Sequence, residues 1–168
     1  MNGEFKLRIS GFGRLFAIAA AVVLSLGVFT AAPASAAGPT INIVSEHNQK
    51  CLELLGFNNN NGAEVGTWDC WGGANQKWYW DGDQIRNVQN HKCLELLGFN
   101  NNNGAHVGLW DCWGGSNQKW YRNGAEIRNK QNNKCLEILG FNNNNNGAVS
   151  GLWDCWGGSN QRWYDRAA

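Results

Sequence analysis

Three glutamates and three tryptophans stand at matching places in the chain, with residue types suited to binding chemistry. Glu53, Glu95 and Glu137 each follow a cysteine by two residues, and Trp68, Trp110 and Trp153 each precede another cysteine by two. Side chains two apart on an extended strand share a face, so Glu53 emerges with Cys51, and Trp68 with Gly66 and Cys70. A Cys51 to Cys70 bridge then brings carboxylate and indole out together. The same parity places Glu95 beside Trp110 and Gly108, and Glu137 beside Trp153 and Gly151. An indole offers a flat apolar face, an ionised Glu accepts hydroxyl hydrogens, and a nearby amide such as that of Asn75 both donates and accepts. A ligand with one flat C–H face and several adjacent hydroxyls suits that set, and sugars are such ligands. Taken singly, a Trp beside a cystine also serves as core and a strand Glu as a solvated face. Recurrence of the whole set favours a site, although duplication copies idle residues too.

The elements that must hold these residues come from a threefold repeat. Cys51-Leu52-Glu53-Leu54-Leu55-Gly56-Phe57 returns at Cys93 to Phe99 and, with Ile138 for Leu, at Cys135 to Phe141, a period of 42 residues. Trp68-Asp69-Cys70-Trp71-Gly72-Gly73 recurs at Trp110 to Gly115 and Trp153 to Gly158. Ile85 to Val88, Cys93 to Leu96, His106 to Asp111 and Gln118 to Tyr121 alternate apolar and polar residues, which predicts short strands. The Asn runs Asn58 to Gly62, Asn100 to Gly104 and Asn142 to Gly147 are predicted loops, because Asn and Gly tolerate positive φ and Asn bonds its own backbone. The repeats, about 38–80, 81–122 and 123–168, fill a single all-β domain over 37–168. The third copy has five Asn rather than four, which puts Ser150 where Val65 and Val107 stand. Either Ser150 faces inward, or a bulge among Ala148 to Ser150 turns Val149 in.

Lys6, Arg8 and Arg14 precede an apolar stretch from Leu15 to Phe29 and then Ala34-Ser35-Ala36, the pattern of a secretory signal peptide over 1–36. As a helix that stretch reaches about 22 Å, short of the roughly 30 Å hydrocarbon core, and no later stretch is apolar enough to span. Export favours disulfides. Six cysteines allow fifteen pairings, and the economical one is within units: Cys51 with Cys70, Cys93 with Cys112, Cys135 with Cys155. Structural zinc wants close Cys or His pairs, and no two Cys lie within four residues, so no metal is expected. No cofactor is expected either. A formal charge of +1 argues against a nucleic-acid groove or a polybasic membrane surface.

Gln76-Lys77-Trp78, Gln118-Lys119-Trp120 and Gln161-Arg162-Trp163 are Q-x-W motifs, each following a Cys-Leu-acidic segment and a Trp-Asp-Cys. With them the chain resembles the ricin B-chain-like β-trefoil lectins, also called carbohydrate-binding module family thirteen, over residues 38–168. The resemblance implies a β-trefoil: twelve strands in three pseudo-symmetric repeats, a six-stranded barrel capped by three hairpins. It also implies that Trp78, Trp120, Trp163, Ile43, Ile85 and Ile127 lie in the core. Carried over by position, the family's sugar-contacting acid falls on Glu53, Glu95 and Glu137, its stacking aromatic on Trp68, Trp110 and Trp153, and its amide on Asn75, Asn117 and Asn160. Two positions depart from the family pattern. The acid is usually Asp, so Glu sets the carboxylate further out. A polar residue often stands at Gly66, Gly108 and Gly151, and glycine there is expected to open room for a bulkier or branched sugar. Trp71, Trp113 and Trp156 are either a second wall or simple packing.

Three functions compete. A secreted, monomeric lectin that binds glycans or polysaccharides needs only the pockets. A glycoside hydrolase needs two carboxylates about 5 to 10 Å apart, and the one repeated candidate pair, Glu53 with Asp69, splits across two faces by parity. A protein-binding trefoil such as a hydrolase inhibitor usually works through one unique loop, whereas these three loops are nearly identical. The expectation is a non-enzymatic lectin.

Overall fold

The computed structural model describes residues 37–141 and 143–168. The expected signal peptide lies outside the described residues. Each repeat contributes four short strands: β1 Ile41–Ser45, β2 Cys51–Leu54, β3 Ala63–Trp68 and β4 Trp78–Asp81 in the first. The second supplies β5 Gln84–Asn87, β6 Cys93–Leu96, β7 Ala105–Trp110 and β8 Trp120–Asn123. The third supplies β9 Glu126–Asn129, β10 Cys135–Ile138, β11 Ala148–Trp153 and β12 Trp163–Ala167. Gln76, Gln118 and Gln161 are not in strands as expected for Gln118; each ends a 3-10 turn just before β4, β8 or β12.

Six strands form the barrel. β1 pairs with β12 and β4, β4 with β5, and β8 with β9, all antiparallel. Two backbone bonds close the circuit, Trp120 N–H to Asp83 O at 2.7 Å and Trp163 N–H to Ala125 O at 2.8 Å. The hairpins β2–β3, β6–β7 and β10–β11 form the cap and pair with one another at Ala63 with Leu109, Ala105 with Leu152 and Ala148 with Thr67. This is the β-trefoil. The small alanines sit where three hairpins converge and are buried.

The barrel and cap enclose one core in which Trp78, Trp120, Trp163, Ile43, Ile85 and Ile127 are buried. A buried indole must place its N–H. These donate to the carbonyls of Leu52, Leu94 and Leu136 at 2.8 to 2.9 Å, tying the barrel to the cap hairpins. The disulfides join Cys51–Cys70, Cys93–Cys112 and Cys135–Cys155 within each repeat. In the third repeat Ser150 faces inward opposite Ile138, fully buried, while Val149 is only partly so. The extra Asn is therefore absorbed in the loop, without a shift of strand phase.

Each Asn run lies against the next repeat. Asn61 donates to Asp111 Oδ2 at 2.8 Å, and its Oδ1 accepts from Lys92 Nζ at 2.7 Å and from the Asp111 N–H at 3.0 Å. Asn103 binds Lys134 and Asp154 in the same way, and Asn146 binds Lys50 and Asp69. The expected hairpin tips are thus staples between repeats.

Candidate functional site

Each cap hairpin carries one copy of the candidate constellation. In β2–β3 the register sets Cys51 opposite Trp68 and Glu53 opposite Gly66, so carboxylate and indole leave by one face as parity required. β6–β7 and β10–β11 repeat this with Glu95 opposite Gly108 and Glu137 opposite Gly151. The glutamates are nearly covered, at 4%, 5% and 6% exposure, whereas Trp68, Trp110 and Trp153 are about 40% exposed.

The chain after β2 turns sharply through a 3-10 turn, Leu55–Phe57, with Gly56 at φ 62°. That conformation suits glycine, and it brings Phe57 back over the hairpin. Phe57 meets Trp71 with ring centroids 5.8 Å apart, as Phe99 meets Trp113 at 5.8 Å and Phe141 meets Trp156 at 5.4 Å. The result is a cavity of about 420 Å³ lined by Glu53, Gly56, Phe57, Trp68 and Trp71. Its third-repeat equivalent, lined by Glu137, Gly140, Phe141, Trp153 and Trp156, measures about 520 Å³. Parity reached Glu and Trp. The phenylalanine was missed, although its signal, a Gly-Phe pair closing every Cys-Leu-Glu segment, was present in all three copies.

Trp71 is both wall and packing. Its indole N–H donates to Glu53 Oε2 at 3.1 Å while half of its surface stays exposed along the cavity. Gln76 organises this corner: Nε2 donates to Glu53 Oε2 at 2.6 Å and to Asp69 O at 2.8 Å, and Oε1 accepts from the N–H groups of Trp71 and Gly72. Gln118 and Gln161 do the same for Glu95 and Glu137. Oε2 of each glutamate is thereby occupied. Oε1 of each has no donor within hydrogen-bond distance among the described residues.

Two expectations are corrected. Asn75, Asn117 and Asn160 do not stand on the cavity wall: all three are fully buried, with Nδ2 donating to the carbonyls of Leu54, Leu96 and Ile138 where the strand ends. Asn75 lies beneath Gly73 and Trp71; a Cβ at Gly73 would sit 2.1 Å from the Trp71 ring and 2.6 Å from Asn75 Oδ1. Nor does Gly66 open room for a ligand. A Cβ there would lie 2.5 Å from Ala148 O and 2.9 Å from Leu55 Cδ1, so the neighbouring hairpin's backbone already fills the space. Gly108 and Gly151 meet Ala63 O and Ala105 O in the same way.

Asp69, Asp111 and Asp154 belong to a different constellation. Hydrogen bonds from Lys50, Lys92 and Lys134, then from Asn146, Asn61 and Asn103, hold their carboxyls below the usual value. The partners of these carboxylates are distinct from those of Glu53, Glu95 and Glu137. Glu126, Cys135 and Cys155 come close enough to suggest a metal cluster, but both sulfurs are spent in a disulfide.

Comparison with known proteins agrees with this geometry. The family model described as the ricin-type beta-trefoil lectin domain matches residues 39–164. Among solved structures, the earthworm R-type lectin C-half in complex with GalNAc superposes with a TM-score of 0.68 at 24% identity, over 77% of this chain and 99% of that one. A designed threefold-symmetric protein, ThreeFoil, gives 0.68 at 23% identity over 75% and 96%. An exo-beta-1,3-galactanase from Clostridium thermocellum gives 0.71 at 23% identity over 77% of this chain but only 30% of the enzyme.

Proposed function

The chain belongs to the ricin-type beta-trefoil lectin domain family, and on that premise we propose that it is a secreted, non-enzymatic carbohydrate-binding lectin with three equivalent shallow sites. One observation carries the reading: an exposed indole and a covered carboxylate leave by one face on each of three hairpins locked to a single core, and they share a cavity on the first and third. The C–H face of a sugar stacks on Trp68, Trp110 or Trp153, and Oε1 of Glu53, Glu95 or Glu137 accepts a hydroxyl hydrogen. Asn75, Asn117 and Asn160 hold the strand ends beneath. The similar earthworm lectin was solved with GalNAc bound, which supports the ligand class. The signal-like first 36 residues and the three disulfides support export.

Each cavity is open to competing water, so one sugar binds at about millimolar dissociation constants, near 4 kcal/mol. A polymer engages a second site on the same chain intramolecularly, adding about 10² to 10⁴ in avidity without any oligomer. The test is Trp→Ala at Trp68, Trp110 and Trp153 singly, in pairs and together, with monosaccharide stoichiometry titrated beside polymer binding. Stepwise loss from about three sites, with avidity collapsing once one indole remains, is the expected result. A folded triple variant that binds polymer as the unmodified protein does places the ligand surface elsewhere.

A further inference from the structure

Glu53, Glu95 and Glu137 are more than nine-tenths buried, yet none has a charge partner. Among the described residues their hydrogen-bond donors are neutral: a glutamine amide and an indole N–H in each repeat. No Lys, Arg or His nitrogen lies within 4.0 Å of them among the described residues. The contrast with the adjacent Asp69, Asp111 and Asp154 is direct, since each of those exposed carboxylates is paired with a lysine. A carboxylate withdrawn from water without a counter-charge is costly. The same cost recurs in all three repeats.

The rest of the lining has the same electrical sign. Phe57, Trp68 and Trp71 border the cavity with Glu53, and an aromatic face carries the negative end of its quadrupole. No basic residue lines either measured cavity. A covered carboxylate and aromatic side chains thus line one cavity with no cation among them, a combination that attracts organic ammonium ions. Oε1 is a free acceptor, and a primary ammonium brings three donors whereas a quaternary one brings none. A cavity of about 420 to 520 Å³ is larger than an ammonium group needs and admits a pyranose ring beside it.

We propose that the three sites select amino sugars with a free ammonium group, as in polymers of unacetylated glucosamine, over neutral and N-acetylated sugars. The ring stacks on Trp68, Trp110 or Trp153 and the ammonium binds Oε1 of Glu53, Glu95 or Glu137 between the aromatic walls. This rests on the sugar-binding reading of the same sites and adds the charge of the ligand to it.

The experiment compares glucosamine oligomers with N-acetylglucosamine and glucose oligomers of equal length, titrated into the full chain by calorimetry and tryptophan fluorescence. The unacetylated oligomer is expected to bind at least about tenfold more tightly at low salt. That preference shrinks as ionic strength rises from about 0.01 M to 0.15 M, and as pH rises through the titration of the ligand's amine. In the E53Q/E95Q/E137Q variant the ratio between charged and neutral oligomers falls towards one. A preference that persists unchanged in that variant, or neutral oligomers binding as tightly as charged ones, overturns the proposal. Neutral oligomers that bind through Trp68 without any ammonium preference leave the lectin reading standing and remove only this one. Binding of no oligomer, neutral or charged, overturns this proposal, and the lectin reading is then decided by the Trp→Ala polymer test. Tetramethylammonium quenching the tryptophans where glucosamine does not also overturns it, because the ligand is then a quaternary head group.

Discussion

Gln118→Leu tests whether one side chain of the Q-x-W signature assembles the site. Gln118 is fully buried and saturated. Its Nε2 donates to Glu95 Oε2 at 2.6 Å and Asp111 O at 2.9 Å, and its Oε1 accepts from the Trp113 N–H at 2.9 Å and the Gly114 N–H at 3.2 Å. Leucine keeps the volume, so the cost is polar. Three neutral bonds at about 1 kcal/mol and one to a carboxylate at about 1.5 to 3 sum to roughly 5 kcal/mol before relaxation. Repacking of the exposed Trp113 segment recovers part, and a net loss of about 3 to 5 kcal/mol is expected. Urea unfolding with the disulfides intact measures it, provided the slope is unchanged. Gln118→Glu keeps the acceptor but loses both Nε2 donations and sets a second carboxylate against Glu95, so it should cost at least as much. A loss under about 1 kcal/mol for Gln118→Leu refutes the view that this glutamine holds the corner together.

Ser150→Val should stabilise the fold by about 1 kcal/mol, because the Ser150 hydroxyl is buried without a partner where Val65 and Val107 stand in the other repeats. A lower melting temperature for that variant would contradict the inward packing. The pH dependence follows from Asp69, Asp111 and Asp154, whose carboxyls are held below the usual 3.8 by lysine and then asparagine hydrogen bonds. A depressed native value means the unfolded chain protonates first, so this stabilisation is present above pH 3.8 and disappears as pH falls below it. Urea midpoints measured from about pH 5 to about pH 2 should fall less steeply in K50M/K92M/K134M, and an unchanged slope argues that other carboxylates set it.

What was legible in the sequence followed from repetition and strand parity. Cystine pairing followed from equal spacing in the three units, the Glu53 and Trp68 face from strand parity, and the core tryptophans from the family resemblance that the Q-x-W motifs carry. What was not legible depended on close approach between repeats. The room expected at Gly66 is taken by the Ala148 carbonyl of another hairpin, a contact no spacing within one repeat encodes. Phe57 meets Trp71 because a 3-10 turn with Gly56 at φ 62° reverses the chain, a turn that strand parity does not encode. Asn75 turns its Nδ2 to the Leu54 carbonyl at the end of β2, a contact that residue type and spacing do not encode. The Asn runs read as hairpin tips because their composition reports turn chemistry, and composition is silent on Asp111 and Lys92 in the next repeat.

Those contacts make the sites properties of the trefoil and not of its units. Trp110 belongs to the second repeat, yet Gly62 of the first, at φ 85°, lies so near that a Cβ there would be 3.8 Å from its ring. Gly104 approaches Trp153, and Gly147 approaches Trp68, closing the circle. The Asn beside each of these glycines binds the Asp that follows the same tryptophan. Each of these tryptophans is therefore paired across its own hairpin with a cysteine of the cystine and approached from the other side by the preceding repeat. A repeat cut from the chain would keep its disulfide but lose the contact that positions its stacking surface. The three candidate sites are alike because each Asn loop also binds the Asp beside the next repeat's tryptophan. A change in any Asn loop is consequently felt at the neighbour's tryptophan before it is felt at its own.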